Sequence, residues 1–234
     1  KALGAEKYRE LVEQEFAELK GGEMTLTSEE VARIKGCFTA PDYQNPDTAA
    51  LQSKLAEDKA FSRWYHTNTR AHKQHGYRAV TLTLKRTGRV PGDISDDQLE
   101  AVADLADQYS FGELRNSHQQ NMVLSDVAAH DLYDLWKALD ELGFATPNLG
   151  LLTDIVACPG GDLCALANAK SIPIAESIQR RFDDVDYLHD LGPLDLNISG
   201  CMNACGHHHI GHIGILGVDK KGKEFYQVTL GGRG

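Results

Sequence analysis

The sequence predicts a mixed fold: an α+β unit in the middle of the chain and an α/β unit at its C-terminal end, behind a helical connector. Three observations lead there. From residue 77 onward, stretches with a period of two and many β-branched residues are interleaved with stretches of period 3.6. Toward the end, strand-like and helix-like segments alternate, the mark of an α/β layer. Residues 1–59 carry helix signals and no strand pattern. The expected division is therefore 1–59, 60–147 and 148–234, and 234 residues are enough for more than one core.

The connector begins as an amphipathic helix over Lys1 to Lys20, with Tyr8, Leu11, Val12, Phe16 and Leu19 on one face and Gly21-Gly22 as its stop. Thr27-Ser-Glu-Glu30 reads as a capping box opening a second helix. Pro41 and Pro46 mark a loop. Cys37, beside Phe38, is expected to be a small buried core residue, as free cysteines commonly are.

In the middle unit, Tyr77 to Leu84 alternates and reads as a strand. Pro91-Gly92 turns the chain, and Ser95-Asp-Asp-Gln98 caps a helix that carries Leu99, Val102, Ala103 and Ala106 inward. Glu113 to Leu124 is expected to form two short strands around a polar middle, Arg115-Asn-Ser-His-Gln-Gln-Asn121. A second helix presents Leu132, Leu135, Trp136, Leu139 and Leu142, ending at Gly143. Strand, helix, strands and helix in that order make half of a ferredoxin-like unit. The polar middle suits either a solvated edge or a binding surface.

The last unit opens with a strand over Leu151 to Ala157. Leu163 to Lys170 and Pro173 to Phe182 read as helices, the second with its proline at an N-terminal position. Leu194 to Ser199 is a further strand. Ile213 to Val218 and Glu224 to Leu230 form a hairpin across Asp219-Lys-Lys-Gly222.

Four of the five cysteines stand in this unit as two pairs, Cys158-Pro-Gly-Gly-Asp-Leu-Cys164 and Cys201-Met-Asn-Ala-Cys205, with 36 residues between them. Each pair is short enough for both sulfurs to face one point, and the crossover lets a chain wrap a metal centre from two sides. Gly160, Gly161, Gly200 and Gly206 are expected to let backbone approach a bulky group there. Disulfides fit poorly, because the total is odd and no signal peptide is visible. Structural zinc prefers tighter knuckles than C-x5-C. An iron–sulfur cluster takes four thiolates and tolerates wider spacing. A zinc-stabilised or metal-free structural module without redox role is the alternative reading.

The full strings resemble the sulfite and nitrite reductase hemoproteins, enzymes that carry siroheme coupled to a 4Fe–4S cluster. Their pattern is C-x5-C, a crossover, and then G-C-x-N-x-C-G, here Gly200-Cys201-Met202-Asn203-Ala204-Cys205-Gly206; the resemblance also takes in Tyr77 to Leu142. It implies a ferredoxin-like half-domain followed by an α/β siroheme and 4Fe–4S domain. It makes Cys158, Cys164, Cys201 and Cys205 cluster ligands, with Cys205 the thiolate shared with the siroheme iron. Asn203 and the backbone at Gly206 would bond to cluster sulfides. Arg115, Gln120 and Asn121 match a family segment, Arg-x-x-x-x-Gln-Asn, that leans over the two cofactors. The implied chemistry is six-electron reduction of sulfite to sulfide or nitrite to ammonia, fed by an electron-donor protein or flavoprotein. Position 207 departs from the family's usual polar residue. The consecutive His207, His208 and His209, taken as extended, would point alternately to opposite faces and could not all converge.

Net charge is −10, and no basic stripe appears, which argues against nucleic acid as a partner. No apolar run approaches a membrane span, so a cytoplasmic location is expected. Siroheme is rich in carboxylates, and the family meets them with basic residues lying mostly in the other half of a duplicated chain. No cluster here matches those positions, and no catalytic residue beyond the cluster ligands is assigned. The ends look cut, with no initiator Met and a strand pattern running into Leu230-Gly-Gly-Arg-Gly234. The expectation is a fragment, inactive without its N-terminal counterpart half.

Overall fold

The computed structural model describes residues 3–232; Lys1, Ala2, Arg233 and Gly234, which the sequence reading includes in its first helix and final segment, lie outside it. The chain divides into two compact units, Lys1–Tyr43 and Gln44–Gly234.

The first unit holds α1 (Gly4–Leu19) and α2 (Ser28–Gly36). Thr27 caps α2, its hydroxyl accepting from the Glu30 amide at 3.1 Å. No described residue of this unit is buried. The apolar face of α1 is real as a pattern, but Tyr8, Leu11, Val12, Phe16 and Leu19 are all exposed. Cys37 is exposed as well, contrary to expectation: it sits at the C-cap of α2, its thiol 3.5 Å from the Arg33 carbonyl oxygen.

The second unit starts earlier than the composition suggested. Two helices read as connector or left unread, α3 (Ala49–Glu57) and α4 (Lys59–Asn68), send Leu51, Phe61 and Trp64 into the first core. Asp58 caps α4 by accepting from the amides of Ala60 and Phe61. There follow β1 (Thr69–Ala71), β2 (Tyr77–Leu82), α5 (Asp96–Tyr109), β3 (Leu114–Asn116), β4 (Met122–Ala128) and α6 (Leu132–Leu142). The four strands form one antiparallel sheet in the order β1-β2-β4-β3. The run from β2 to α6 is the strand–helix–strands–helix order of half a ferredoxin-like unit.

Ser95 and Gln98 make the full capping box of α5. Its buried stripe is Val102 and Ala106, with Leu105 and Tyr109 beside them, whereas Leu99 and Ala103 face solvent. The sheet thus meets α5 on a face rotated from the one that the apolar spacing suggested. Helix α6 buries Leu132, Leu135 and Leu139 and ends at Gly143, whose φ of 82° is the left-handed cap conformation that glycine adopts without strain.

The last part contains β5 (Val156–Ala157), α7 (Ile172–Arg181), α8 (Val185–Leu191), β6 (Leu196–Ser199), β7 (Ile213–Asp219) and β8 (Glu224–Leu230). The sheet order is β5-β6-β7-β8, parallel at its first two pairings and antiparallel at the hairpin. A separate core gathers Leu151, Leu152, Ile155, Ala175, Leu188, Leu196, Ile198 and Ile215. Two expectations fail here. Residues 151–155 turn rather than extend, leaving β5 only two residues long, and residues 163–170 form turns in place of a helix. The physical reason for the second is visible in the backbone. The amides of Asn168 and Ala169 both donate to the Gly200 carbonyl, so they bond to the neighbouring loop instead of to carbonyls four residues back.

Candidate metal centre

Strands β5 and β6 run parallel and end side by side, and each delivers a cysteine just beyond its C-terminal residue. Cys158 follows Ala157, and Cys201 follows Ser199 and Gly200. The two loops that carry the pairs interlock. Gly200 accepts at its carbonyl from Asn168 (2.9 Å) and Ala169 (3.1 Å), while its amide donates to the Cys158 sulfur at 3.1 Å. The Cys158 amide in turn donates to Ile198 at 3.1 Å.

Three of the glycines are required by close protein contacts. A Cβ at Gly200 would lie 2.7 Å from both the Ala169 carbonyl oxygen and the Gly160 Cα; one at Gly160 would meet the Ser171 amide at 2.5 Å. At Gly206 it would run into the Ile198 carbonyl. Gly160 thus packs within its own loop, Gly200 against the first cysteine loop, and Gly206 against β6.

All five cysteines are free thiols. Cys158 and Cys201 are buried, Cys164 is half-buried and Cys205 exposed. Among the described residues, no group of three or more His, Cys, Asp or Glu side chains is arranged to hold a single metal ion. The donor set, four thiols carried on two interlocked loops, is of the kind that an iron–sulfur cluster takes. A cubane also holds its thiolates farther apart than one ion does. The loop tips around them are apolar and open, with Leu163 and Met202 both more than four-fifths exposed. Asn203 and Ala204 lie in the turn between Cys201 and Cys205, closed by the Ala204 amide donating to the Cys201 carbonyl at 3.2 Å. The Gly206 amide, expected to serve a cluster, donates to the Ser199 hydroxyl at 3.1 Å.

The polar segment of the half-domain reaches this centre. Residues 117–121 form a tight turn between β3 and β4, with the Ser117 amide donating to the Asn121 carbonyl at 2.8 Å. Gln120 sits at its tip with φ 59°, a conformation costly for a residue with a side chain and held here by its neighbours. Its carboxamide makes two bonds to one residue: Nε2 donates to the Ala157 carbonyl at 2.7 Å, and Oε1 accepts from the Ala157 amide at 3.0 Å. Asn121 is buried; Oδ1 accepts from the Leu84 amide (3.0 Å) and Nδ2 donates to Asp154 Oδ1 (2.9 Å). Arg115 is exposed and pairs with Glu113 at 2.7 Å. The segment thus supplies two amides to the seam between the domains and one arginine to the surface.

Two residues central to that seam carried no sequence assignment. Lys85 has no exposed side-chain surface, and its ammonium donates to the Gln119 carbonyl at 2.7 Å and to Asp154 Oδ1 at 3.4 Å. Burial pushes its pKa below the usual lysine range, opposed by the Asp154 charge. Asp154 Oδ2 accepts from the Gly150 amide at 2.9 Å, so both oxygens are engaged. The available signal was a charged residue at the end of one apolar strand and a lone carboxylate inside the apolar run Leu151 to Val156: two charges in such settings usually require each other.

Beside the seam lies a cleft of 520 Å³, lined by Arg70, Ser117, His118, Asp154, Asn197 and His207 among others. Arg70 stands on β1 and donates to the carbonyls of Thr67 and Thr69. The histidine run is a turn, not an extended segment, because His207 has φ 52°. His208 packs edge-on against His209 with ring centroids 5.4 Å apart. Its pKa is lowered by burial first and by the His209 charge second.

Fold and site together define a two-domain scaffold in which a half-sheet domain braces a four-thiol loop pair. Residues 70–142 match the nitrite/sulfite reductase ferredoxin-like half domain, and residues 151–234 match the nitrite and sulphite reductase 4Fe–4S domain. The chain belongs to the sulfite and nitrite reductase hemoprotein family. Sulfite reductase (ferredoxin) 1 of Mycolicibacterium paratuberculosis is 27% identical over 99% of this chain and 37% of its own length. The chloroplastic ferredoxin–nitrite reductase of Betula pendula is 30% identical, over 78% of this chain and 32% of its own. The solved structure of the Mycobacterium tuberculosis NirA protein shares 30% identity with a TM-score of 0.53, covering 70% of this chain and 31% of that one. The chain thus spans about a third of the length of the relatives it matches. No helix among the described residues is long and apolar enough to cross a membrane.

Proposed function

We propose that this chain is the cluster-bearing part of a cytoplasmic siroheme and 4Fe–4S reductase that takes sulfite to sulfide, or nitrite to ammonia, by six electrons. The observation that carries the reading is the interlocking of the two loops that bear Cys158, Cys164, Cys201 and Cys205 at adjacent strand ends. When bound, the cluster supplies single electrons to the siroheme iron, where the anion is reduced.

The chain's own residues divide the work by depth. Cys158 and Cys201, buried and backed by backbone, hold the inner side of the centre. The Gly200 amide bond to the Cys158 sulfur stabilises the thiolate and so favours ligation. Cys205 is exposed at the end of the second loop, which suits a thiolate that must also reach the siroheme iron. Asn203, in the same turn, and the Gly206 backbone are assigned to the cluster's surroundings. Arg115, the one cation of the polar segment and already surface-exposed, is assigned to the siroheme side. Gln120 and Asn121 act from the seam.

The −10 charge supports a further part of the proposal. Burying siroheme carboxylates without cations costs several kcal/mol each, so the remaining basic residues come from the counterpart half of a longer chain. Activity requires that half and an electron donor, either ferredoxin, as the relatives' names have it, or a flavoprotein.

The test is anaerobic reconstitution of the purified chain with iron and sulfide, followed by iron analysis, visible absorption and electron paramagnetic resonance. A brown protein with close to four irons and a reduced-cluster signal is expected; a colourless protein that takes up one zinc instead would support the structural-module reading.

A further inference from the structure

We infer that Gln120 is a positioning residue for the first cysteine loop: its side chain stands in for a missing strand along the open edge of β5. The inference rests on the reading of Cys158 as a cluster ligand, and it gives Gln120 a role other than direct contact with a cofactor.

Among the described residues, strand β5 has a hydrogen-bonded neighbouring strand on one side only, β6. In a parallel ladder, alternate residues turn their amide and carbonyl toward the partner. Cys158 turns its amide to β6, donating to Ile198, so Ala157 turns both its groups the other way. An open edge at that buried residue would leave an amide and a carbonyl unpaired. The Gln120 carboxamide meets both at once, at 2.7 and 3.0 Å, with the donor–acceptor pairing of a backbone peptide. The residue before the ligand is therefore fixed from the half-domain side and the ligand itself from the β6 side.

The clamp is rigid because its base is rigid. Gln119, one residue before, accepts from the buried Lys85 ammonium. Asn121, one residue after, is tied to Leu84 and Asp154. Opposite the Gln120 side chain is Gly92, where an added Cβ would come within 3.1 Å of the Gln120 Cβ, at a φ of 82° that already favours glycine. A turn with a strained residue at its tip and two anchored neighbours holds a carboxamide in one place. A residue at the tip of a solvated loop would gain nothing from this bracing.

The experiment uses Gln120→Leu, which removes both bonds, and Gln120→Glu, which removes or restores them with pH. As a neutral acid, the glutamate can donate one hydrogen bond and accept another, the pair that the glutamine makes with Ala157. As a carboxylate it presents only acceptors to the Ala157 carbonyl. Hydrogen exchange at the Ala157 amide, corrected for intrinsic rates, is followed in the metal-free and the reconstituted chain, with the midpoint potential of the cluster in the latter. In Gln120→Leu, Ala157 protection should fall by about tenfold, the exchange expected for one lost hydrogen bond, and the potential should move. Gln120→Glu should match the unsubstituted chain below its carboxyl pKa and Gln120→Leu above it. Should Gln120→Leu not fold, the pH comparison on Gln120→Glu decides alone. Unchanged Ala157 protection in Gln120→Glu across its titration would overturn the inference. Loss of siroheme affinity with Ala157 protection intact would do the same, because that is the signature of direct cofactor contact. Failure of the unsubstituted chain to take iron would overturn the assignment of the cysteines, and the exchange data in metal-free protein would still judge the clamp.

Discussion

Replacing Lys85 by methionine should destabilise the chain by about 3 kcal/mol, the lower end of the 3–5 kcal/mol that follows removal of one partner from a buried ion pair. The structure puts the cost at that end for two reasons. Asp154 loses its cation but keeps the Asn121 and Gly150 donors, both at 2.9 Å. Methionine also refills the volume of a side chain with no exposed surface. Set against a total stability of 5–15 kcal/mol, this is a large share and about a hundredfold change in the ratio of folded to unfolded chain. Urea denaturation followed by far-ultraviolet circular dichroism reads it. The same titrations on Asp154→Asn and on the double variant complete a cycle. The two losses should fail to add, with a coupling in the range of 0.5–3 kcal/mol for groups in contact. A single-variant cost below about 1 kcal/mol, or strict additivity, would show that the pair does not hold the seam.

The same lysine sets a pH dependence. Burial holds its folded-state pKa below the unfolded one, so the unfolded chain binds the proton more tightly, and stability should rise with pH between the two values; Lys85→Met should abolish that slope, as urea midpoints at several alkaline pH values would show. Cys158→Ser, Cys164→Ser or Cys201→Ser should each abolish iron retention after reconstitution, whereas Cys37→Ala should retain it in full; equal losses would overturn the ligand assignment. On the proposed function, in protein reconstituted with both cofactors, Cys205→Ser should also break the link to siroheme, while Asn203→Ala should keep both cofactors and shift the cluster potential in a redox titration. Gly206→Ala should cost about 1–3 kcal/mol from overpacking against the Ile198 carbonyl and weaken iron retention; thermal melts and iron counts on the variant check it.

The elements legible before folding are those whose causes are local. The Ser95–Gln98 capping box, the Gly143 stop of α6, the alternation of β2 and the β7–β8 hairpin all depend on residues within a few positions of one another. The two cysteine pairs, C-x5-C and C-x3-C, were legible in the same way, and the fold carries them to the ends of adjacent strands. What the sequence left to tertiary structure was every feature in which a backbone group bonds to a distant part of the chain. Residues 163–170 carry helix-compatible side chains, yet Asn168 and Ala169 bond to Gly200, a carbonyl more than thirty positions away. The glycines of the cysteine loops are legible as close approaches, but only the folded chain shows what approaches each: Gly200 meets the first cysteine loop, and Gly206 meets β6. The polar run Arg115 to Asn121 announces interacting side chains without naming partners; Gln120 finds Ala157 and Asn121 finds Asp154 across more than thirty residues. Lys85 and Asp154 are the limiting case. A charge can be buried only against its complement, and pairing across sixty-nine positions leaves no local periodicity to read.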